Sequence, residues 1–95
     1  MIEESRGLLT NEAAEMLAVE AFGWLAGEPD ALARFLSLAG IEPTGLRAAA
    51  GDPGFLAGIL DYMAGDEALL IAFAANAGIR PERVVAARRT LNRHD

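Results

Sequence analysis

The chain has no cysteine and no lysine, it carries one histidine, and aromatic residues make up only 6% of its 95 residues. Without cysteine there is no disulfide framework and no thiolate to hold a metal or act as a nucleophile; the absence says nothing further about compartment. The one histidine, His94, stands next to the C-terminal residue. No second group in the sequence is credibly placed to hold its imidazole, so a hydrolytic triad is not supported. No apolar run approaches the roughly 18 residues of a membrane span. The opening Met-Ile-Glu-Glu-Ser-Arg-Gly lacks the basic segment of a secretory signal. The expectation is a single cytoplasmic helical domain over 1–95, with the ends 1–8 and 93–95 disordered and no membrane contact.

What is present is apolar and acidic. Hydrophobic residues make up 53% of the chain, enough to build a core, and the net charge is −6. The charge is unevenly distributed. Up to Asp52, nine acids meet only Arg6, Arg34 and Arg47; from Pro53 onward, five acids meet Arg80, Arg83, Arg88, Arg89 and Arg93. An acidic chain is repelled by phosphate backbones, yet a local arginine cluster still acts within a screening length.

Valine, isoleucine and threonine are sparse and no segment alternates with a period of two, so the spacing predicts helices. Glycine and proline divide them. Thr10 or Asn11 caps a first helix that runs to about Ala26. Pro29 opens a second that reaches Ala39 and stops at Gly40, with the glycine in a left-handed conformation. Pro43 restarts a short third to about Ala50. A fourth covers Pro53 to Ala64, a fifth Glu67 to Ala77, and a sixth runs from Pro81 to near Asn92.

These elements resemble one another at an offset of 38 residues, which lays Trp24 on Tyr62, Phe35 on Phe73 and Gly40-Ile41-Glu42-Pro43 on Gly78-Ile79-Arg80-Pro81. Over Ala21–Ala50 and Ile59–Arg88, 10 of 30 pairs are identical. The expectation is an all-α bundle of about six short helices in two similar three-helix halves, packed around Leu70, Phe73, Phe35, Trp24 and Tyr62. The fifth helix is apolar on every side and is expected to be the most buried. In the fourth, Gly54, Ala57, Gly58 and Asp61 form a small-residue face. A glycine inside a helix costs ~1 kcal/mol against alanine, so Gly58 suggests close helix approach or, alternatively, a slot for a ligand.

Three groups of residues are candidates for function. On the first helix, Met16 and Val19 sit among Glu12, Glu15 and Glu20, on the side away from Ala14, Leu17, Ala18, Ala21, Phe22, Trp24 and Leu25. They are either ordinary exposed apolar residues or the centre of a contact patch that includes Gly23. Asp61, Asp66 and Glu67 are a close acidic trio. Helix capping and first-turn placement explain the last two, and Asp61 is expected to pair with Arg34 or Arg47. Ala74, Gly78 and Val84 have the spacing of a DNA-binding helix-turn-helix, whose second helix would carry Arg83, Arg88, Arg89 and Arg93. Cations near a helix C-terminus also stabilise it without any nucleic acid.

From Arg34-Phe35-Leu36 through Gly40-Ile41-Glu42-Pro43, Leu46-Arg47, Asp52-Pro53-Gly54-Phe55, Leu60-Asp61-Tyr62 and Asp66-Glu67 to Phe73, the chain resembles a small alphaproteobacterial family known only as a domain of unknown function. The resemblance implies an all-helical protein and supplies no activity, cofactor or partner. The reading is therefore a non-enzymatic interaction or self-assembly module, docking a protein partner or a second copy as a homodimer. Contact would be made through Met16, Val19 and Gly23 with Glu12 and Glu15, aided by the C-terminal arginines. The second reading is a nucleic-acid module using Arg83, Arg88, Arg89 and Arg93; the third is a small-molecule-binding protein. No catalytic residue, cofactor or metal is expected.

Overall fold

The computed structural model describes residues 9–92, and within them six α-helices and one 3-10 turn follow the glycine and proline punctuation. The order is α1 (Asn11–Leu25), α2 (Pro29–Ala39), the turn Pro43–Gly45, α3 (Leu46–Ala49), α4 (Pro53–Ala64), α5 (Glu67–Ala77) and α6 (Pro81–Leu91). No strand occurs among the described residues, and the fold is an all-α bundle. The predicted disorder at 1–8 and 93–95 lies outside the described residues.

The ends form for local reasons. The Thr10 hydroxyl accepts from the Ala13 N–H at 3.0 Å, and the Asp52 and Asp66 carboxylates accept from Gly54 and Leu69 N–H at 2.9 and 3.1 Å. Each satisfies one donor that a helix start leaves free. Proline opens α2, α4 and α6, where its missing N–H costs nothing. Gly40 and Gly78 close α2 and α5, each at φ 71°, a conformation costly for any side chain with a Cβ. The predicted third helix divides, because Gly45 at φ −95°, ψ 4° leaves the first turn as 3-10 and only four residues continue as α3.

Helices α1, α4 and α6 pack most extensively on one another and form the centre. Ala14, Ala18 and Ala21 on α1 and Ala87 on α6 are wholly buried, and such small side chains let helix axes approach closely. The largest side chains fully enclosed are Phe73, Leu25, Ile59, Leu60, Met63 and Val84. The core is thus centred elsewhere than expected: Phe35 and Phe73 are in it, while Trp24, Tyr62 and Leu70 are only half-buried at its edge.

Helix α5 is a correction. It lies against α4 and α6 at the periphery, with Ala68, Ile71, Ala72 and Ala75 facing out and only Phe73 and Ala74 buried. Its apolar character is mostly alanine, which hides little area, so exposing one side costs far less than exposing a leucine face would. The molecule measures 41 × 30 × 17 Å. At an interaxial spacing of about 8–10 Å, the short dimension holds about two layers of helices, so a peripheral helix keeps one side open.

Two helices at the 38-residue offset are alike. α2 and α5 are both 11 residues long at the 38-residue offset, they bury equivalent positions (Phe35, Leu36 and Phe73, Ala74), and they close with the same backbone bonds, from Ile41 to Leu36 and from Ile79 to Ala74. The halves as wholes are not confirmed. α6 is a central helix of 11 residues, whereas its counterpart is a turn and the four residues of α3 at the margin.

Candidate functional site

The outward side of α1 carries the most exposed apolar pair on a charged helix. Met16 is 70% and Val19 56% exposed, three residues apart and therefore on one face. Their neighbours in the core, Leu17 and Ala18, occupy the opposite side as the 3.6-residue period requires. Leu56 of α4 extends this apolar surface. Together Met16, Val19 and Leu56 floor a shallow groove of about 660 Å³ whose other lining residues are Glu12, Glu15 and Glu20. Among the described residues, no basic side chain lines it. Glu12 lies in the first turn of α1, where the helix dipole favours an anion.

Of the predicted patch, Met16, Val19, Glu12 and Glu15 come together in this groove. Gly23 lies one turn beyond Val19, exposed, with open space where a Cβ would stand, but outside the lining. Glu20 was readable from the helix period. Leu56 was not, because its place opposite α1 is set by tertiary packing between segments far apart in sequence.

The arginines are not assembled into one surface. Arg88 donates from Nε to Asp61 Oδ1 at 2.7 Å, and Asn92 Nδ2 reaches the same oxygen at 3.0 Å. Arg83 is half-buried, Arg89 is exposed, and Arg93 lies outside the described residues. On α6 the three described arginines point roughly 100–140° apart around the axis, at about 100° per residue. The helix-turn-helix spacing is realised as a helix pair, with Ala74 and Val84 buried beside Gly78. However, α6 is an inner helix of the bundle, with Val84, Ala87 and Thr90 enclosed and Glu82 beside Arg89 on its outer face.

The acidic trio is similarly employed in structure. Asp61 pairs with Arg88, in place of the expected Arg34 or Arg47, because α4 and α6 run side by side. Arg34 instead approaches Asp66 at 3.8 Å, and Asp66 also caps α5. No group of three or more His, Asp or Glu side chains among the described residues is placed to hold a metal ion. His94 lies outside the described residues. Among the same residues no helix is long and apolar enough to cross a membrane.

Gly58 makes no close helix contact. A Cβ there would meet nothing within 4 Å, so the expected close approach is absent. The glycine opens instead onto a cleft of about 310 Å³ between α2 and α4, walled by Phe35, Ile41 and Phe55. Asp52, the one charged lining group among the described residues, already accepts the Gly54 N–H.

These features define a small all-helical bundle whose candidate site is an acid-rimmed apolar groove on one helix. The chain belongs to the family described as protein of unknown function (DUF3572), whose model matches residues 11–94. The match does not extend to an alphaproteobacterial source. No curated protein and no solved structure matches the chain.

Proposed function

We propose that this chain is a non-enzymatic protein-interaction module of the cytoplasm, docking a protein through the outer face of α1. The observation that carries this reading is the exposure of Met16 and Val19 on the floor of a groove bounded by Glu12, Glu15 and Glu20. An interface with an apolar centre and a charged rim gains affinity from the first and selectivity from the second. Methionine suits such a centre because its unbranched chain adapts to the surface it meets.

The test compares the wild-type chain with Met16→Ser/Val19→Ser, by sedimentation across concentration and by quantitative co-purification from the source cell. A protein bound in stoichiometric amount, or a dimer, that the double variant loses is the expected result. Identical masses and identical co-purifying proteins for the two chains would rule out this face.

A further inference from the structure

We infer that the α1 groove receives a cationic amphipathic helix from another protein, and that a second copy of this chain is not its occupant; this rests on the reading of the α1 face as a docking surface. Charge complementarity is the first argument. Among the described residues, three of the six that line it are glutamates and none is basic. The sequence has no arginine between Arg6 and Arg34, and that stretch also carries Glu28 and Asp30. A partner whose apolar side chains are flanked by Arg or Lys places each cation against a carboxylate of the rim.

The same rim opposes self-pairing. A symmetric contact through one face sets like residues together, so Glu12, Glu15 and Glu20 of one copy would meet the same three of the other. The chain's own arginine-bearing helix offers no alternative occupant: α6 is packed between α1 and α4, with Val84, Ala87 and Thr90 buried. Dimensions fit a helix. From Glu12 to Glu20 the axis rises about 12 Å, a little over two turns, which accommodates apolar anchors at i and i+4 with a cation on each side. Met16 and Val19 of α1 share the floor with Leu56 of α4, so the anchors rest across both helices.

The experiment titrates the full chain with a short Ala-Leu-Arg peptide carrying leucines at i, i+4 and i+7, and with a counterpart in which every Arg is Glu. The methyl resonances of Met16, Val19 and, in every variant, Leu56 are followed by NMR. The arginine peptide is expected to shift them. Its affinity should fall more than about tenfold in Glu12→Gln/Glu15→Gln/Glu20→Gln and in Met16→Ser/Val19→Ser. The Glu28→Gln/Glu42→Gln chain, which loses charge away from the groove, should bind within about twofold of wild type. Equal weakening by that control would reduce the effect to net charge and overturn the inference. Preference for the glutamate peptide, or a dimer abolished by Met16→Ser/Val19→Ser, would also overturn it while leaving the docking face standing. No methyl shift with either peptide overturns the inference. If co-purification is also unaffected by the serine pair, the docking face falls with it.

Discussion

The Tyr62 hydroxyl on α4 donates a 2.9 Å hydrogen bond to the carbonyl oxygen of Ala31 on α2, 31 residues earlier in the chain. Its ring lies 5.4 Å from that of Phe35, which also meets Phe55 at 5.7 Å; Phe55 in turn meets Phe22 of α1 at 5.2 Å. Four of the chain's few aromatic rings therefore form one line that fastens α2 to α4 and α4 to α1. The hydroxyl marks the outer end of that line. Tyr62→Phe keeps the ring and removes only the donor. Urea unfolding should show stability lower by about 0.5–1.5 kcal/mol with an unchanged slope.

Glycines at two positions should respond in opposite directions to alanine. Gly58 lies inside α4, and a Cβ there would find open space. Gly58→Ala should therefore stabilise the fold by up to about 1 kcal/mol, the usual difference in helix propensity. Gly78 stands at φ 71° behind α5. There the same methyl group is strained whatever the space, and Gly78→Ala should lower stability by about 1–2 kcal/mol. Thermal unfolding of the two variants should give melting temperatures on opposite sides of wild type.

The contrast between these glycines shows how much the sequence discloses. Gly78, followed by Ile79 and Pro81, is a local stop signal, and the helix ends it predicts fall within a residue of those observed. The meaning of Gly58 depends on what lies opposite, and only tertiary packing decides that. Helix α5 teaches the same lesson, since composition alone does not distinguish a buried apolar helix from an alanine-rich one at the edge. The acidic stripe of α1 was legible because a helix period maps sequence onto a face. Leu56 and the Asp61–Arg88 pair were not, since both require knowing which helices are neighbours.

The Asp61–Arg88 contact should contribute little to stability despite its 2.7 Å length. Both side chains are about half exposed, at 48% and 50%, so water competes for each. Arg88→Gln should cost no more than about 1 kcal/mol at low salt. The difference should shrink further at about 1 M salt, where the screening length is about 3 Å. Chemical denaturation of both chains with urea, which adds no ions, at the two ionic strengths measures this directly.

Thr90 connects the first and last described segments. Its side chain is buried, and its hydroxyl donates to the Leu9 carbonyl at 3.2 Å, just ahead of the Thr10 cap of α1. Thr90→Val preserves shape and leaves that carbonyl without its side-chain partner, a loss of about 1–2 kcal/mol. Because the bond anchors the segment entering α1, amide exchange near Ala13 and Ala14 should accelerate more than exchange in α5, which lies elsewhere in the bundle.

The two faces of α1 predict opposite outcomes for truncation. Ala18 and Leu17 are enclosed, whereas Met16 and Val19 rest on the groove floor with most of their surface open to water. Leu17→Ala removes buried methyl groups and leaves a cavity, so stability should fall by about 2–5 kcal/mol. Met16→Ser and Val19→Ser remove little buried area, and each should change stability by no more than about 0.5 kcal/mol. Circular dichroism melts of the three variants check both statements. A large loss in either serine variant would mean that these side chains already pack within the bundle. The small predicted change is what allows a loss of partner binding in the serine pair to be attributed to the α1 face itself.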